Sequence, residues 1–232
     1  MKAFVLAAGE GTRLRPLTER VPKCLVPING KPLLAYWIDL LARHGVDSIL
    51  INTHHLHGQV REFFGHRALP VRAEIAHEPV LLGSAGTLRA NRAFAEGEEA
   101  FFIVYADNLT DADLTGLLAA HRRSGQVATI GLFRAGRPRE CGIATLDASG
   151  VVTHFEEKPA RPESPWAFAG IAAASGGIFD FIPGGFPCDL GRDVLPRLAG
   201  RMAGHELKSY LLDIGTMESY VQAQSDAARI HP

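Results

Sequence analysis

The residues best suited to chemistry are concentrated between positions 7 and 23. They run Ala7-Ala8-Gly9-Glu10-Gly11-Thr12-Arg13-Leu14-Arg15-Pro16-Leu17-Thr18, and Pro22-Lys23 follows. Gly9 and Gly11 let the backbone approach a ligand closely and turn its N–H groups outward. Arg13 adds a planar, permanently charged fork that matches phosphate oxygens, and Lys23 adds a second, mobile charge. The apolar run at 2–7 reads as a buried strand, and open α/β sheets bind nucleotides in loops that leave the carboxyl ends of strands. The spacing excludes a Walker A loop, since no Gly-Lys-Ser/Thr follows. The dinucleotide fingerprint also fails, because Leu14 stands at its third glycine. A structural glycine turn with solvated arginines does not explain why two glycines, Arg13 and Lys23 share one window.

Four further segments carry polar chemistry. Tyr105-Ala106-Asp107-Asn108 closes an apolar run, and Asp213-Ile214-Gly215-Thr216 lies far downstream. A carboxylate at the end of a buried strand is costly in a core but natural for holding Mg²⁺ beside phosphates. Taken alone, the two aspartates read more readily as separate turn or cap residues than as a metal pair. Glu78-Pro79-Val80-Leu81-Leu82-Gly83-Ser84-Ala85-Gly86-Thr87-Leu88 reads as a loop entering a helix, with Ser84 a candidate cap. Phe155-Glu156-Glu157-Lys158-Pro159 reads as a charged strand end. His54, His55 and His57 follow a strand, but their spacing fits no common zinc pattern, and a polar loop is the simpler reading.

The elements that must position these groups alternate in type. Strands are expected at 2–7, 48–53, 71–75 and 101–105, and helices at 32–44, 56–64, from Ser84, and at 109–124. Pro32 suits a first helical position and Gly45 a C-terminal cap. Continuous apolar strands separated by helices imply a parallel sheet covered on both faces. Beyond residue 127 the pattern changes to strands at 127–134, 142–146, 151–157 and 168–175, with a turn at 147–150, which implies a mixed sheet. A helix at 192–202, a strand at 206–214 and a closing helix at 216–229 complete the reading. The expected fold class is therefore α/β, a Rossmann-like mixed, mostly parallel sheet with helices on both faces. The expected organisation is one domain over residues 1–232, with the proline-rich segment 159–165 an exposed loop and not a linker.

Bulk properties bound the function. The 232 residues are 47% hydrophobic and 21% charged, with a formal net charge of −1. That balance argues against a basic nucleic-acid surface, so an anionic ligand must be held by local groups. Cys24, Cys141 and Cys188 form no CxxC pair, which points to a reduced, cytoplasmic protein. The first apolar stretch stops at the Gly-rich turn, too short for a signal peptide or a membrane span.

The segment from Leu6 to Pro32 resembles the signature of the sugar-phosphate nucleotidyltransferase family, LAGGxGTRLxPLT…PKPLxPxxGKP. It agrees at Leu6, Gly9, Gly11–Leu14, Pro16–Thr18, Pro22–Lys23, Leu25, Pro27 and Gly30–Pro32, with Ala8 in place of a glycine and Cys24 in place of a proline. The later segments resemble the family's EPxxLGTAGAL, GD, FxEKP, NAGIY and DIGTPxxY elements, so the likeness covers essentially the whole chain. It implies a nucleotide-diphospho-sugar transferase fold and Mg²⁺-dependent transfer between an NTP and a sugar 1-phosphate. It implies that Ala8, Gly9, Gly11, Thr12 and Asp107 bind the nucleotide, with the Gly11 and Thr12 amides beside the departing pyrophosphate and Arg13 and Lys23 as catalytic cations. Glu78 and Gly83 would lie at the nucleotide, and Asp107 and Asp213 would converge on the metal. Gly142, Glu157, Lys158 and Gly170 would serve the sugar phosphate. Phe168 stands where the family often has an asparagine on the sugar.

The chain looks closest to mannose- or heptose-1-phosphate guanylyltransferases. Uridylyl and thymidylyl enzymes share most of the pattern, and the fold could also serve a non-catalytic nucleotide-sugar sensor. GTP is the expected nucleotide, because a carboxylate such as Glu78 can accept from both guanine N1–H and the exocyclic amine. A membrane partner is not expected, and the sequence leaves oligomeric state open, a homo-oligomer included.

Overall fold

The computed structural model describes residues 1–65 and 68–230. In chain order the strands are β1 (Lys2–Leu6), β2 (Pro27–Ile28), β3 (Lys31–Pro32), β4 (Ser48–Thr53), β5 (Arg72–His77), β6 (Phe101–Tyr105), β7 (Asn108–Thr110), β8 (Ala128–Arg134), β9 (Gly142–Leu146), β10 (Val152–Glu157), β11 (Trp166–Ala174), β12 (Met202–Glu206) and β13 (Leu211–Asp213). The α-helices are α1 (Leu33–Arg43), α2 (His57–Gly65), α3 (Ser84–Ala90), α4 (Leu114–Ser124) and α5 (Met217–Asp226). These elements fall into two compact units. The first comprises Met1–Leu81, Tyr105–Ala112 and Ser209–Pro232, and the second Leu82–Val104 and Asp113–Lys208.

In the first unit β1, β4 and β5 run parallel, with Val5 opposite Ile51 and Thr53 opposite His77. Every residue of β4 is buried, which is why Ile49-Leu50-Ile51 run without alternation at its centre, flanked by the buried polar residues Ser48, Asn52 and Thr53. Helix α1 starts directly after Pro32, whose φ of −55° leads into it, and ends before Gly45 at φ +78°. Between β2 and β3, Asn29 and Gly30 take φ +47° and +80°, the pairing of residues that favours a two-residue hairpin turn. Leu14, Ile28, Leu33, Leu109, Ile214 and Ala223 form one buried cluster. Burying each large aliphatic side chain of that cluster contributes roughly 1.5–3 kcal/mol, so the Gly-rich loop is anchored through Leu14.

In the second unit β11 is the hub, antiparallel to β6, β8 and β9, while β12 lies parallel to β8. The turn expected at 147–150 joins β9 to β10: Asp147 Oδ1 accepts from the Ser149 and Val151 amides, and Gly150 has φ +83°. The mixed α/β architecture read from the sequence is the one observed, with parallel pairing in the first unit and antiparallel partners gathered around β11. Among the described residues no helix is long and apolar enough to cross a membrane.

Three expectations need correction. Residues 109–112 are not helical: Asn108–Thr110 pairs antiparallel with Leu211–Asp213, and α4 starts only after Asp113, whose carboxylate accepts from the Gly116 amide at 2.9 Å. The helix expected at 192–202 is a π-turn, Leu190–Val194, running into a 3-10 turn, Leu195–Leu198. Pro196 withholds the amide that an α-helix would need there. The strand expected at 206–214 is two strands, β12 and β13, which belong to different units.

Candidate active site

The loop after β1 folds as consecutive 3-10 turns, Thr12–Leu14, Leu17–Glu19 and Lys23–Leu25. Gly11 takes φ +64°, and a Cβ there would come within 2.9 Å of Thr18 Cγ2 and 3.2 Å of Lys23 Cβ. Thr18 Oγ1 donates to the Gly11 carbonyl at 2.8 Å, so the turn is closed from within. A methyl group at Gly9 would meet no heavy atom within 4 Å, which leaves that backbone open to a ligand. Ala8 is buried and Thr12 is exposed. Cys24 is buried, which pushes its thiol up to about 12 and keeps it neutral. The substitution of a proline there removes no functional group.

Two positive and two negative side chains meet beside this loop. Lys23 Nζ donates to Asp107 Oδ2 at 2.7 Å and lies 3.5 Å from Asp213 Oδ1. Arg13 Nη2 is 3.8 Å from Asp213 Oδ2. The carboxylates are brought together by the β7–β13 pair, in which Asp213 faces Asn108, and by the Ile214 amide, which donates to the Asp107 carbonyl at 2.8 Å. Partial burial raises the Asp213 pKa, although its side chain stays half exposed. The like charge of Asp107 adds to the rise, while Lys23 and Arg13 oppose it. Trp37, fully buried on α1, donates its indole N–H to the Asn108 carbonyl at 2.8 Å and fixes the turn that carries Asp107.

Glu78 follows β5 and is 3% exposed. Its Oε1 accepts from Asn52 Nδ2 at 2.9 Å, and Asn52 Oδ1 accepts from the Ala7 amide at 2.7 Å. The His54 Nδ1–H donates to the Glu78 carbonyl at 2.7 Å, and the His55 Nε2–H to the Thr18 carbonyl at 2.8 Å, because a carbonyl can only accept. His57 stacks on His77 with ring centroids 4.1 Å apart. His54 and His55 thus tie loop carbonyls in place, whereas His57, expected in the same loop, instead opens α2 and packs on β5.

Within the second unit a separate group gathers around Glu157, the last residue of β10, which pairs with Gly142. A Cβ at Gly142 would lie 2.6 Å from Glu157 Oε2, and one at Gly191 2.8 Å from the same atom, so this oxygen is held between two bare backbones. Burial raises the Glu157 pKa, Lys158 opposes the rise, and Asp189 adds to it. Lys158 adopts φ +51°, uncommon for a non-glycine residue, while its amide donates to the Cys141 carbonyl at 3.0 Å. Gly170, at φ +70°, sits in the irregularity of β11 between Phe168 and Ala172. Phe168 packs edge-on to Phe155, with centroids 6.4 Å apart. Gly83 packs against the Cys188 backbone, where no Cβ would fit. Ser84 is not the helix cap that was expected. Its hydroxyl donates to Asp189 Oδ2 at 2.9 Å and accepts from the Leu190 amide at 2.6 Å.

Sequence reasoning missed Asn52, Trp37 and Gly215. At Gly215 a Cβ would lie 2.7 Å from Asp213 Oδ2 and 2.8 Å from Arg13 Nη2. Gly215 was visible within its motif, and Asn52 as an amide directly after the apolar run Ile49-Leu50-Ile51. Trp37 carried no signal beyond its hydrophobicity.

An α/β fold that presents a glycine-rich, doubly cationic loop beside paired carboxylates defines a nucleotide-handling class of protein. The family model described as Nucleotidyl transferase matches residues 2–229, and the chain belongs to that family. A UTP–glucose-1-phosphate uridylyltransferase of Synechocystis is 34% identical, across 96% of this chain and 62% of that protein. A mannose-1-phosphate guanylyltransferase of Mycobacterium tuberculosis is 32% identical, across 98% and 64%. The chain thus spans under two thirds of the length of either relative. HddC from Yersinia pseudotuberculosis, solved in complex with GMP-PN, superposes with a TM-score of 0.81 at 22% identity, covering 97% of this chain and 99% of that one. That likeness establishes the fold.

Proposed function

We propose that the chain joins a sugar 1-phosphate to a nucleoside triphosphate, releasing pyrophosphate, with GTP and mannose- or heptose-1-phosphate as the substrate pair. The observation that carries this reading is the meeting of Arg13 and Lys23 with Asp107 and Asp213 beside the Gly-rich loop. In the reaction an oxygen of the sugar phosphate attacks the α-phosphorus. The new P–O bond forms as the bond to the β-phosphate breaks, and pyrophosphate leaves with the electron pair. The nucleophile is already an anion, so no general base is needed, and positioning with charge neutralisation dominates.

Arg13 and the Gly11 and Thr12 amides are assigned to the departing pyrophosphate, and Lys23 to the α-phosphate and the incoming phosphate. Ala8, Gly9, Glu78 and Gly83 are assigned to the nucleotide. Gly142, Glu157 and Gly170 are assigned to the sugar, and Lys158 to its phosphate. Two carboxylates that already share one cation, Lys23 Nζ, are a donor set suited to Mg²⁺. Held by Asp107 and Asp213, the ion would neutralise triphosphate charge.

Purified protein incubated with each pairing of GTP, UTP, dTTP or ATP with several sugar 1-phosphates, in Mg²⁺, tests the reading through pyrophosphate release. Release with GTP and a mannose- or heptose-type phosphate supports it in full, and absence of release with every pair overturns it. The 34% identity to a uridylyltransferase favours UTP with a glucose-type phosphate as the second reading. Dominant use of UTP or dTTP in an equimolar competition would replace the guanylyl assignment and leave the reaction class standing.

A further inference from the structure

Asn52 is the penultimate residue of β4, 4% exposed, at the carboxyl end of a strand whose other positions are filled by Ser48, Ile49, Leu50, Ile51 and Thr53. A buried side-chain amide must find partners or lose the free energy of its hydration. Asn52 finds them on both sides. In the parallel ladder β4 lies between β1 and β5, whose last paired residues are Val5 and His77. At those ends the Asn52 side chain bonds to both neighbours: Oδ1 accepts from the Ala7 amide at 2.7 Å, and Nδ2 donates to Glu78 Oε1 at 2.9 Å, beside the main-chain bond from the Glu78 amide to the Thr53 carbonyl at 2.8 Å. The amide cannot be flipped, since Nδ2 has nothing to offer an N–H and Oδ1 would repel a carboxylate.

From this we infer that Asn52 is a positioning residue that sets nucleobase selectivity, by fixing the Glu78 carboxylate relative to the start of the Gly-rich loop. Base recognition and phosphate recognition then share one reference, because the Glu78 carboxylate and the Ala7 amide are bonded to the same side-chain amide, while the Glu78 main chain is held by Thr53 and His54. The inference rests on the assignment of Glu78 to the base. Aspartate at this position would keep the acceptor for Ala7 but turn an acceptor towards Glu78. Serine would be too short to span both partners.

The test measures dissociation constants for GTP, UTP, dTTP and ATP by calorimetry, and steady-state constants for NTP and sugar 1-phosphate, in wild type, Asn52→Asp, Asn52→Ser and Glu78→Gln. Loss of a hydrogen bond to a charged group predicts that the ratio between the best and second-best base falls ~10-fold or more in both Asn52 variants. The change should fall on the NTP constants and leave KM for the sugar phosphate near its wild-type value. A merely structural role would lower thermal stability and the folded fraction while leaving the base ratio unchanged. As a reading that does not need a folded Asn52 variant, Glu78→Gln should move the Ala7 amide resonance in a ¹H–¹⁵N spectrum. If the Asn52 variants keep the wild-type base ratio while Glu78→Gln alters it, the inference fails and the Glu78 assignment survives. If Glu78→Gln also leaves the ratio untouched, the assignment fails and takes the inference with it. An unmoved Ala7 resonance would likewise overturn the coupling.

Discussion

Replacing Lys23 by methionine should destabilise the ligand-free protein and make its stability responsive to Mg²⁺. The side chain of Lys23 is 11% exposed, with Nζ 2.7 Å from Asp107 Oδ2 and 3.5 Å from Asp213 Oδ1. At an effective dielectric of about 20 those distances correspond to gross attractions of about 6 and 5 kcal/mol. Much of that is offset. Desolvating the ammonium costs several kcal/mol, and Asp213, 55% exposed, is screened by solvent. A net loss of about 2–3 kcal/mol is the expected remainder, since truncation leaves two facing carboxylates without their shared countercharge. In a protein of this size that lowers Tm by roughly 4–12 °C.

Differential scanning fluorimetry over a MgCl₂ series is the assay. A divalent ion at about ten times its dissociation constant restores about 1.4 kcal/mol, so Tm of the variant should recover by several degrees. Wild type should respond less, because its ammonium competes with the ion for the same oxygens. A variant as stable as wild type, with the same Mg²⁺ response, would refute the reasoning that Lys23 neutralises this pair.

Three further outcomes are expected. Asp107→Asn and Asp213→Asn should each reduce turnover by orders of magnitude, and the double variant should lose far less than the product, because the two act on one cation; a multiplicative loss in single-turnover kinetics would separate their roles. Arg13→Ala should raise KM for NTP, and Lys158→Ala KM for the sugar phosphate; kinetics with each substrate varied in turn decide it, and an NTP-only effect of Lys158→Ala would displace that residue from the sugar side. Gly142→Ala places a methyl 2.6 Å from both Glu157 Oε2 and Phe155 Cζ, so it should cost about 1–3 kcal/mol in denaturant unfolding and weaken sugar-phosphate use; an unchanged midpoint would show that Glu157 can move aside.

How much was legible depended on whether a signal was local. The Gly-rich loop could be read because its glycines, arginine and lysine must be neighbours in sequence to line one turn, and the turn at 147–150 for the same reason. The meeting of Asp107 and Asp213 could not be read from periodicity. It depends on Asn108–Thr110 pairing with Leu211–Asp213, and only the family likeness pointed to it. The same hidden pairing explains the error at 109–112, where residues expected to open a helix instead end a strand and lead out of it. Ser84 went astray because its cap-like position says nothing of Asp189 and Leu190, which it binds across more than a hundred residues. Asn52 was legible in principle, since a polar residue in a wholly buried strand demands partners, although which partners it finds is a tertiary fact.

The β7–β13 pair also has a consequence for the order in which the molecule assembles. Everything from Asp113 to Lys208 belongs to the second unit, so the first unit is interrupted and resumes only at Ser209. Closing a loop of that length costs about 4 kcal/mol of chain entropy, and a ribosome must deliver residue 213 before Asp213 can reach Lys23. Until then Asp107 and Lys23 have only each other. The acidic pair is therefore among the last features of the first unit to mature, whereas β1, β4 and β5 can dock as soon as the first eighty residues emerge. A nascent chain stalled before β13 would hold its parallel strands and lack the partner carboxylate, a difference that limited proteolysis of truncated chains can expose.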